Sequence, residues 1–415
     1  MNILHISNTD LAGGRFTGYY MQQVIGQSHN VEMAVWNKTS NNSKVHSLKS
    51  GPFLQLSDRI IQKLDRKLGL EGLIGQGGRS LAKRSYFKNA DIIHLHLIHN
   101  DSFFSPLSLS KISRIKPVIW TIHDCWAMTG GCLYSFDCEK WRTGCKFPCP
   151  YPRHNSLFQH RIPNFHWHLK KHIYQNSNIS LVVASEWMKN RVRNSPLLNN
   201  FQCDLIPFGI DLEMFCPRNK EDSRRKLGIW PNQKVIAFRD SGSNTDKFKG
   251  LKWIMEVLQM YEPKQPTCLL ILQDGRAFRS LWPKYSVITP GWIDGEELAY
   301  ALSAADIFLM PSIQEAFGLM AVESMACATP VITFEGTSLP DVINAPQGGL
   351  SVPARDSIAL LNAISLLLEN DELRIEMGKK ARLIAEKEYS FELYVQRHLS
   401  LYEDVICQRQ KNNFK

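Results

Sequence analysis

The stretch of this chain with the clearest chemical content runs from Pro311 to Ala326, where Glu315 and Glu323 stand eight positions apart around Ala316, Phe317, Gly318 and Leu319. Good helix formers continue to Ala328, so Glu323 is expected on a helix and Glu315 in the loop before it. A helix opening near Phe317 to Leu319 presents unpaired N–H groups and the positive end of its dipole, which suits a diphosphate. Gly318 would let such a ligand approach the backbone closely. A carboxylate accepts two hydrogen bonds from vicinal hydroxyls, so Glu323 suits a ribose and Glu315 a second sugar. The same spacing also fits a surface helix carrying two solvated acids.

Other constellations lie in the first half. Leu11-Ala12-Gly13-Gly14-Arg15 follows an apolar run, and Gly13 and Gly14 would let backbone approach a phosphate or an acceptor, or simply make a tight turn. It is not a dinucleotide fingerprint, which needs a third glycine and an acid after the next strand. His123 and Asp124 end the apolar segment from Pro117, which places the imidazole at the carboxyl end of a sheet. Cys132, Cys138, Cys145 and Cys149 fall within eighteen residues. Four thiolates complete a tetrahedral zinc shell with no open position, so a metal there would be structural; unligated thiols are the equal alternative, since the spacing lacks paired two-residue gaps. His94, His96 and His99 alternate along a strand, with structural hydrogen bonding, acceptor-side lining or metal as readings. From Arg59 to Lys88 the cations Arg59, Lys63, Arg66, Lys67, Arg79, Lys83, Arg84 and Lys88 accompany Ile60, Ile61, Leu64 and Leu68. That pattern is a basic amphipathic surface, either resting on anionic lipid or half-buried with a solvated basic face.

These residues need a scaffold. Short β-rich runs alternate with longer amphipathic stretches along both halves, the pattern of parallel sheets built from strand-helix-strand units. Strands are expected at 2–7, 31–36, 91–97, 117–123 and 179–185, and again at 234–239, 267–273, 285–290, 306–310 and 330–334. At 415 residues the chain suits two domains. Ile206-Pro207-Phe208-Gly209 breaks the periodicity between them. The expected division is 1–205, 206–390 and a last helical segment, 391–415. The composition, 44% hydrophobic and 21% charged, is that of a globular protein. The net charge of +10 implies an anionic partner, and no nucleic-acid module accompanies it, so nucleic acid is not expected. No run reaches the ~18 apolar residues of a membrane span, and the start lacks a signal pattern. A cytoplasmic location is therefore expected, including the inner face of the membrane if the basic surface rests on lipid. The ten cysteines are then thiols or ligands.

The Glu315 to Glu323 segment, its approach Gly295-Glu296-Glu297-Leu298 and Ala304-Ala305-Asp306-Ile307-Phe308-Leu309-Met310-Pro311-Ser312, and its exit Ala328-Thr329-Pro330-Val331-Ile332 resemble glycosyltransferase family 4. The resemblance implies the GT-B fold, an α/β architecture of two Rossmann-like parallel-sheet domains facing a cleft, with the last helix packing back on the first domain. It implies a retaining transfer from a nucleoside-diphosphate sugar to a saccharide or lipid-linked saccharide acceptor, of the kind that builds bacterial surface polysaccharides. Lys249, before Gly250, matches the family's Lys-Gly, and Arg239 ends the strand where the family places an arginine. Both would offset charge on the departing diphosphate, so that no metal cofactor is required for catalysis. Asp274-Gly275 and Gly291-Trp292-Ile293 would flank the base, Gly13 and Gly14 would lie beside the donor phosphates, and His123 would contact the donor sugar, with Asp124 shaping the site. Front-face attack through an oxocarbenium-like state is implied. Rival readings are a sugar-nucleotide epimerase or phosphorylase of the same fold, and a non-catalytic nucleotide-binding scaffold.

Overall fold

The computed structural model describes residues 1–49, 55–70, 72–75, 77–78, 81–99, 103–151, 162–240, 242 and 246–413. Arg79 and the side chain of Arg66, both in the basic stretch, lie outside the described residues. Two compact units emerge, residues 1–206 with the segment from Val395 on, and residues 207–394.

The first unit is built on a seven-stranded parallel sheet of β1 (Asn2–Thr9), β2 (Asn30–Asn37), β3 (Val45–Ser47), β4 (Ile92–Leu95), β5 (Val118–Thr121), β6 (Ser180–Val183) and β7 (Cys203–Leu205), in spatial order β3-β2-β1-β4-β5-β6-β7. The central strands β4 and β5 are buried at every position, as expected of a parallel sheet covered on both faces. Helix ends are set locally: the Ser185 hydroxyl accepts the Met188 N–H at 3.2 Å and starts the helix Glu186–Asn194. The helix Phe391–Asn413 contributes Val395, Leu401, Tyr402 and Val405 to the buried set of this unit.

The second unit holds a six-stranded parallel sheet of β8 (Lys234–Asp240), β9 (Thr267–Gln273), β10 (Ser286–Ile288), β11 (Ile307–Met310), β12 (Val331–Phe334) and β13 (Gly349–Val352), ordered β10-β9-β8-β11-β12-β13. Its core joins Phe238, Leu269, Ile271, Leu309 and Ile332 to Ile254, Val257 and Leu258 from the helix Leu251–Met260 and to Ile364 and Leu367 from the helix Ser357–Glu369. Asp306 pins one end of the sheet. It is 3% exposed, pairs with Lys220 at 2.6 Å and Arg224 at 2.9 Å, and accepts the Val235 N–H at 2.7 Å.

Both sheets reverse direction of winding once, between β1 and β4 in the first and between β8 and β11 in the second. Open α/β sheets bind ligands beyond the carboxyl ends of their strands at such a switch point. Glu315 and Lys249 lie beyond β11 and β8, and Gly13 and Gly14 beyond β1.

Candidate functional site

In the second unit the chain after β8 turns back through the short helix Asp246–Lys249 onto the chain after β11. The Ile313 N–H donates to the Phe248 carbonyl at 2.8 Å. Gly250 then takes φ +83°, and a Cβ there would run into the Pro311 carbonyl oxygen. Glycine is needed on both counts, for the left-handed backbone and for the close approach. The result places the Lys249 ammonium 2.7 Å from the Glu315 carboxylate, with the two side chains 30% and 12% exposed.

The Glu315 loop is itself clamped. Ser338, fully buried, donates its N–H and hydroxyl to the Glu315 carbonyl at 3.2 and 3.0 Å, and the hydroxyl also reaches the Phe317 carbonyl at 3.2 Å. Gly318 caps the helix Leu319–Ala326 in the left-handed region, φ +93°, where a side chain would collide with Leu339. Ala316 and Phe317 are thereby held between the carboxylate and the helix start. The carboxylate of Glu323 lies on that helix, as its spacing predicts, but the residue is fully buried, so a ribose reaches it only if neighbouring groups give way.

Arg239 ends β8 and is tied to a different loop. Its guanidinium lies 4.6 Å from the centre of the Trp292 ring and donates to the Ile293 carbonyl at 3.1 Å. Trp292, next to Gly291, is 66% exposed, so an aromatic face with a cation behind it is open to solvent. Asp274 is held by a fork from Arg276, at 2.6 and 2.7 Å, which keeps its carboxyl below the usual range. Asp240 has a positioning role that its sequence neighbourhood did not disclose. Nearly buried, it accepts the N–H groups of Gly242 at 2.9 Å and Gly275 at 3.0 Å, joining the turns after β8 and β9.

In the first unit Gly13 and Gly14 form a tight turn, with the Gly14 N–H on the Leu11 carbonyl at 3.0 Å and the Thr17 N–H on the Gly13 carbonyl at 3.0 Å. The buried Asp10 just before it accepts from Leu11, Thr39 and Ser40. Burial opposes its charge, but those hydrogen bonds outweigh burial and hold its carboxyl well below the usual range. His123 lies near Phe16 and His96, with ring centres 5.9 and 5.8 Å away. Burial first, and His99 beside it, push its imidazole down to about 4 against the pull of Asp124, so it is neutral at pH 7. Asp124 accepts the Trp126 N–H at 2.8 Å and faces His99 at 3.1 Å, which gives His99 a partner and fixes the turn after β5.

His94 is fully buried, with its nitrogens on the Tyr402 hydroxyl and the Thr121 hydroxyl, each at 2.7 Å. His5 and His96 face each other at 3.0 Å. Ligand nitrogens of His5, His94 and His96 lie within 4.8 Å of one another, the closest such grouping of metal-ligand types among the described residues. Hydrogen bonding within the fold already occupies both nitrogens of His94, which favours the structural reading. Cys132, Cys138, Cys145 and Cys149 all border one small apolar pocket.

Residues 219–384 match a family described as "Glycosyl transferases group 1". D-inositol 3-phosphate glycosyltransferase from Corynebacterium jeikeium is 31% identical over 229 residues, covering 48% of this chain and 51% of that protein. N,N'-diacetylbacillosaminyl-diphospho-undecaprenol alpha-1,3-N-acetylgalactosaminyltransferase from Campylobacter jejuni is 27% identical over 233 residues, 54% of this chain and 60% of that one. The chain thus spans about half the length of the curated relatives it matches. Among solved structures, sucrose-phosphate synthase from Thermosynechococcus elongatus aligns over 98% of this chain and 99% of its own with a TM-score of 0.70 at 20% identity. The fold is accordingly GT-B, with two Rossmann-like parallel-sheet domains, and residues 219–384 in the second carry the glycosyl transferases group 1 signature.

Proposed function

We propose that the chain is a retaining glycosyltransferase that moves a sugar from a nucleoside-diphosphate sugar to a saccharide or lipid-linked saccharide acceptor in bacterial surface-polysaccharide synthesis. The observation that carries the reading is the Lys249–Glu315 pair, 2.7 Å apart at the switch point of the second sheet, beside a helix start capped by Gly318. An ammonium and a helix N-terminus are what a departing nucleoside diphosphate needs as its charge grows. Glu315 would accept from sugar hydroxyls, and Arg239 with Trp292 offers a cation and an aromatic face for phosphate or base. Glu323 would take the ribose hydroxyls once its cover opens. His123, neutral at pH 7, can donate or accept a hydrogen bond to the sugar without adding charge.

The names of the two curated relatives point to phosphate-bearing acceptors, and the net charge of +10 suits such partners. The helix Gln55–Leu68 supports peripheral contact with anionic membrane. Ile60, Leu64 and Leu68 stand about half exposed in one row, and Arg59, Lys63 and Lys67 form the next. No helix among the described residues is long and apolar enough to cross a membrane.

The test is incubation of the purified chain with nucleoside-diphosphate sugars, with and without lipid-diphosphate-linked saccharides, with products read by mass spectrometry and anomeric configuration by NMR. Acceptor-dependent transfer with retention is expected. Inversion would remove the retaining assignment, conversion of the donor sugar without acceptor would favour an epimerase, and the absence of any nucleotide binding would overturn the reading.

A further inference from the structure

The segment from Thr129 to Tyr151 has almost no regular structure: a single three-residue turn of 3-10 helix, Lys140–Arg142, interrupts loop and bend. A loop this long inside a compact domain needs something to hold it. Its backbone is nevertheless sharply shaped, with Cys145 at φ +48°, a left-handed value that a side chain with a Cβ resists. This shape turns Cys132, Cys138, Cys145 and Cys149 toward one apolar pocket closed by Trp141 and Pro163. None of the four is joined in a disulfide. The Cys132 thiol donates to the Tyr151 carbonyl at 3.5 Å.

Hydrogen-bond donors and cations stand near these sulfurs. The Gly130 N–H donates to the Cys145 sulfur at 3.3 Å, a contact that strengthens when the acceptor is a thiolate. Lys170 is 2% exposed, sits 3.5 Å over the Trp126 ring, and donates to the Trp126 and Thr129 carbonyls at 2.6 and 3.0 Å, which brings a buried cation to the start of the loop. Lys140 and Lys146 line the same pocket, and no carboxylate does so among its described lining residues. A zinc ion with four thiolates carries two net negative charges, which these cations would offset.

We propose that Cys132, Cys138, Cys145 and Cys149 bind one structural zinc ion that staples this loop. Binding forms four Zn–S bonds and releases four thiol protons to solvent, so affinity rises with pH. Unlike the nitrogens of the histidine trio, these sulfurs do not form a group of three or more within 4.8 Å of one another, so coordination would require the loop to close on the ion. The histidine trio is the internal competitor for a metal, and the two sites differ in ligand chemistry.

The experiment is metal analysis of the full chain purified under reducing conditions without chelator, followed by exchange with cobalt(II). About one zinc per chain is expected, released by a mercurial thiol reagent, and the cobalt form should show sulfur-to-metal charge transfer and the intense visible bands of a tetrahedral thiolate site. Cys138→Ser and Cys145→Ser should each lose the metal, whereas Cys268→Ser, in β9, should keep it. Chelation should lower the melting temperature of the chain while leaving nucleotide-sugar binding in place, which separates this proposal from the fate of the donor site. A fully reduced wild-type chain that takes up neither zinc nor cobalt overturns the proposal, as does a cobalt spectrum without thiolate charge transfer. Both of these readouts use the wild-type chain, so they stand even if a serine variant fails to fold.

Discussion

Gly250→Ala tests the contact that positions Lys249. The glycine sits at φ +83°. An alanine there bears a left-handed backbone cost of about 1–2 kcal/mol. Its Cβ also meets the Pro311 carbonyl, which is backbone and does not rotate away as a side chain can. Over-packing of that kind costs about 1–3 kcal/mol. Removing a glycine stiffens the unfolded chain and offsets about 0.4–1 kcal/mol. The net expectation is a loss of about 3 kcal/mol. Gly228→Ala is the matched control: its φ is +71°, yet nothing lies within 4 Å of where the new Cβ would go. There only the backbone cost remains, about 1 kcal/mol after the same offset. The difference of about 2 kcal/mol corresponds to roughly 4–8 °C in melting temperature for a unit of this size. Calorimetry of the two full-length variants side by side reads it, and titration with a nucleoside diphosphate should show weaker binding for Gly250→Ala alone. If the two variants melt together and bind alike, the Lys249 turn is not seated on Pro311 and the account of how the ion pair is built is wrong.

Lys249→Ala should weaken nucleoside-diphosphate-sugar binding about 10- to 150-fold, the worth of a charged hydrogen bond of about 1.5–3 kcal/mol, with little change in melting temperature; isothermal titration measures it, and unchanged affinity would remove Lys249 from the site. Asp306→Ala leaves Lys220, Arg224 and Arg374 facing a buried gap. It should cost about 3–5 kcal/mol in urea unfolding, where a loss below about 1 kcal/mol would contradict the burial of that cluster. Acid should destabilise the first unit well above the carboxylate range. Burial pushes His5 down to about 3 and His123 to about 4, and holds His94 and His96 well below the usual value. Between about pH 6.5 and about pH 4 the unfolded chain therefore binds protons that the folded chain does not. Stability falls as pH falls through that window, by roughly 1.4 kcal/mol per pH unit for each such histidine. Urea midpoints taken from about pH 7 to about pH 4.5 should show the slope, and a flat profile would mean that these rings are charged or open to solvent in the fold.

What can be read in advance follows the physics of each element. The expected strand at 267–273 coincides with β9, because a strand paired on both sides in a parallel sheet must be apolar along its whole length and so announces itself. β3, β7 and β13 have no counterpart among the expected strands, and all three are sheet edges of three or four residues. An edge strand has one neighbour and little burial, so Cys203–Leu205 carries no apolar run for periodicity to detect. Glu315 is marked as a candidate by its spacing from Glu323 around Gly318, which is a local property, whereas Lys249 and Arg239 are marked by the resemblance to glycosyltransferase family 4. Ser338 and Asp240 are marked by neither, since their roles arise from hydrogen bonds to residues far along the chain, Glu315 and Gly275.

The same distinction bears on how the proposed donor would bind. Lys249 and Glu315 neutralise each other in the structure, and both retain some exposure. A diphosphate carries more charge than one carboxylate and can take the ammonium, which would free Glu315 to receive sugar hydroxyls. The ion pair would then act as a placeholder that keeps both groups oriented before the donor arrives, so less ordering is required on binding. Glu315→Gln separates this idea from simple charge loss. The amide keeps the shape but releases Lys249, so nucleoside diphosphate without a sugar should bind as well as in the wild type or more tightly. Transfer from the intact donor should instead fall by at least about tenfold, since one oriented hydrogen bond to a charged group is worth about 1.5–3 kcal/mol. Weaker binding of the bare diphosphate in that variant would show that Glu315 orders the phosphate site rather than competing for it.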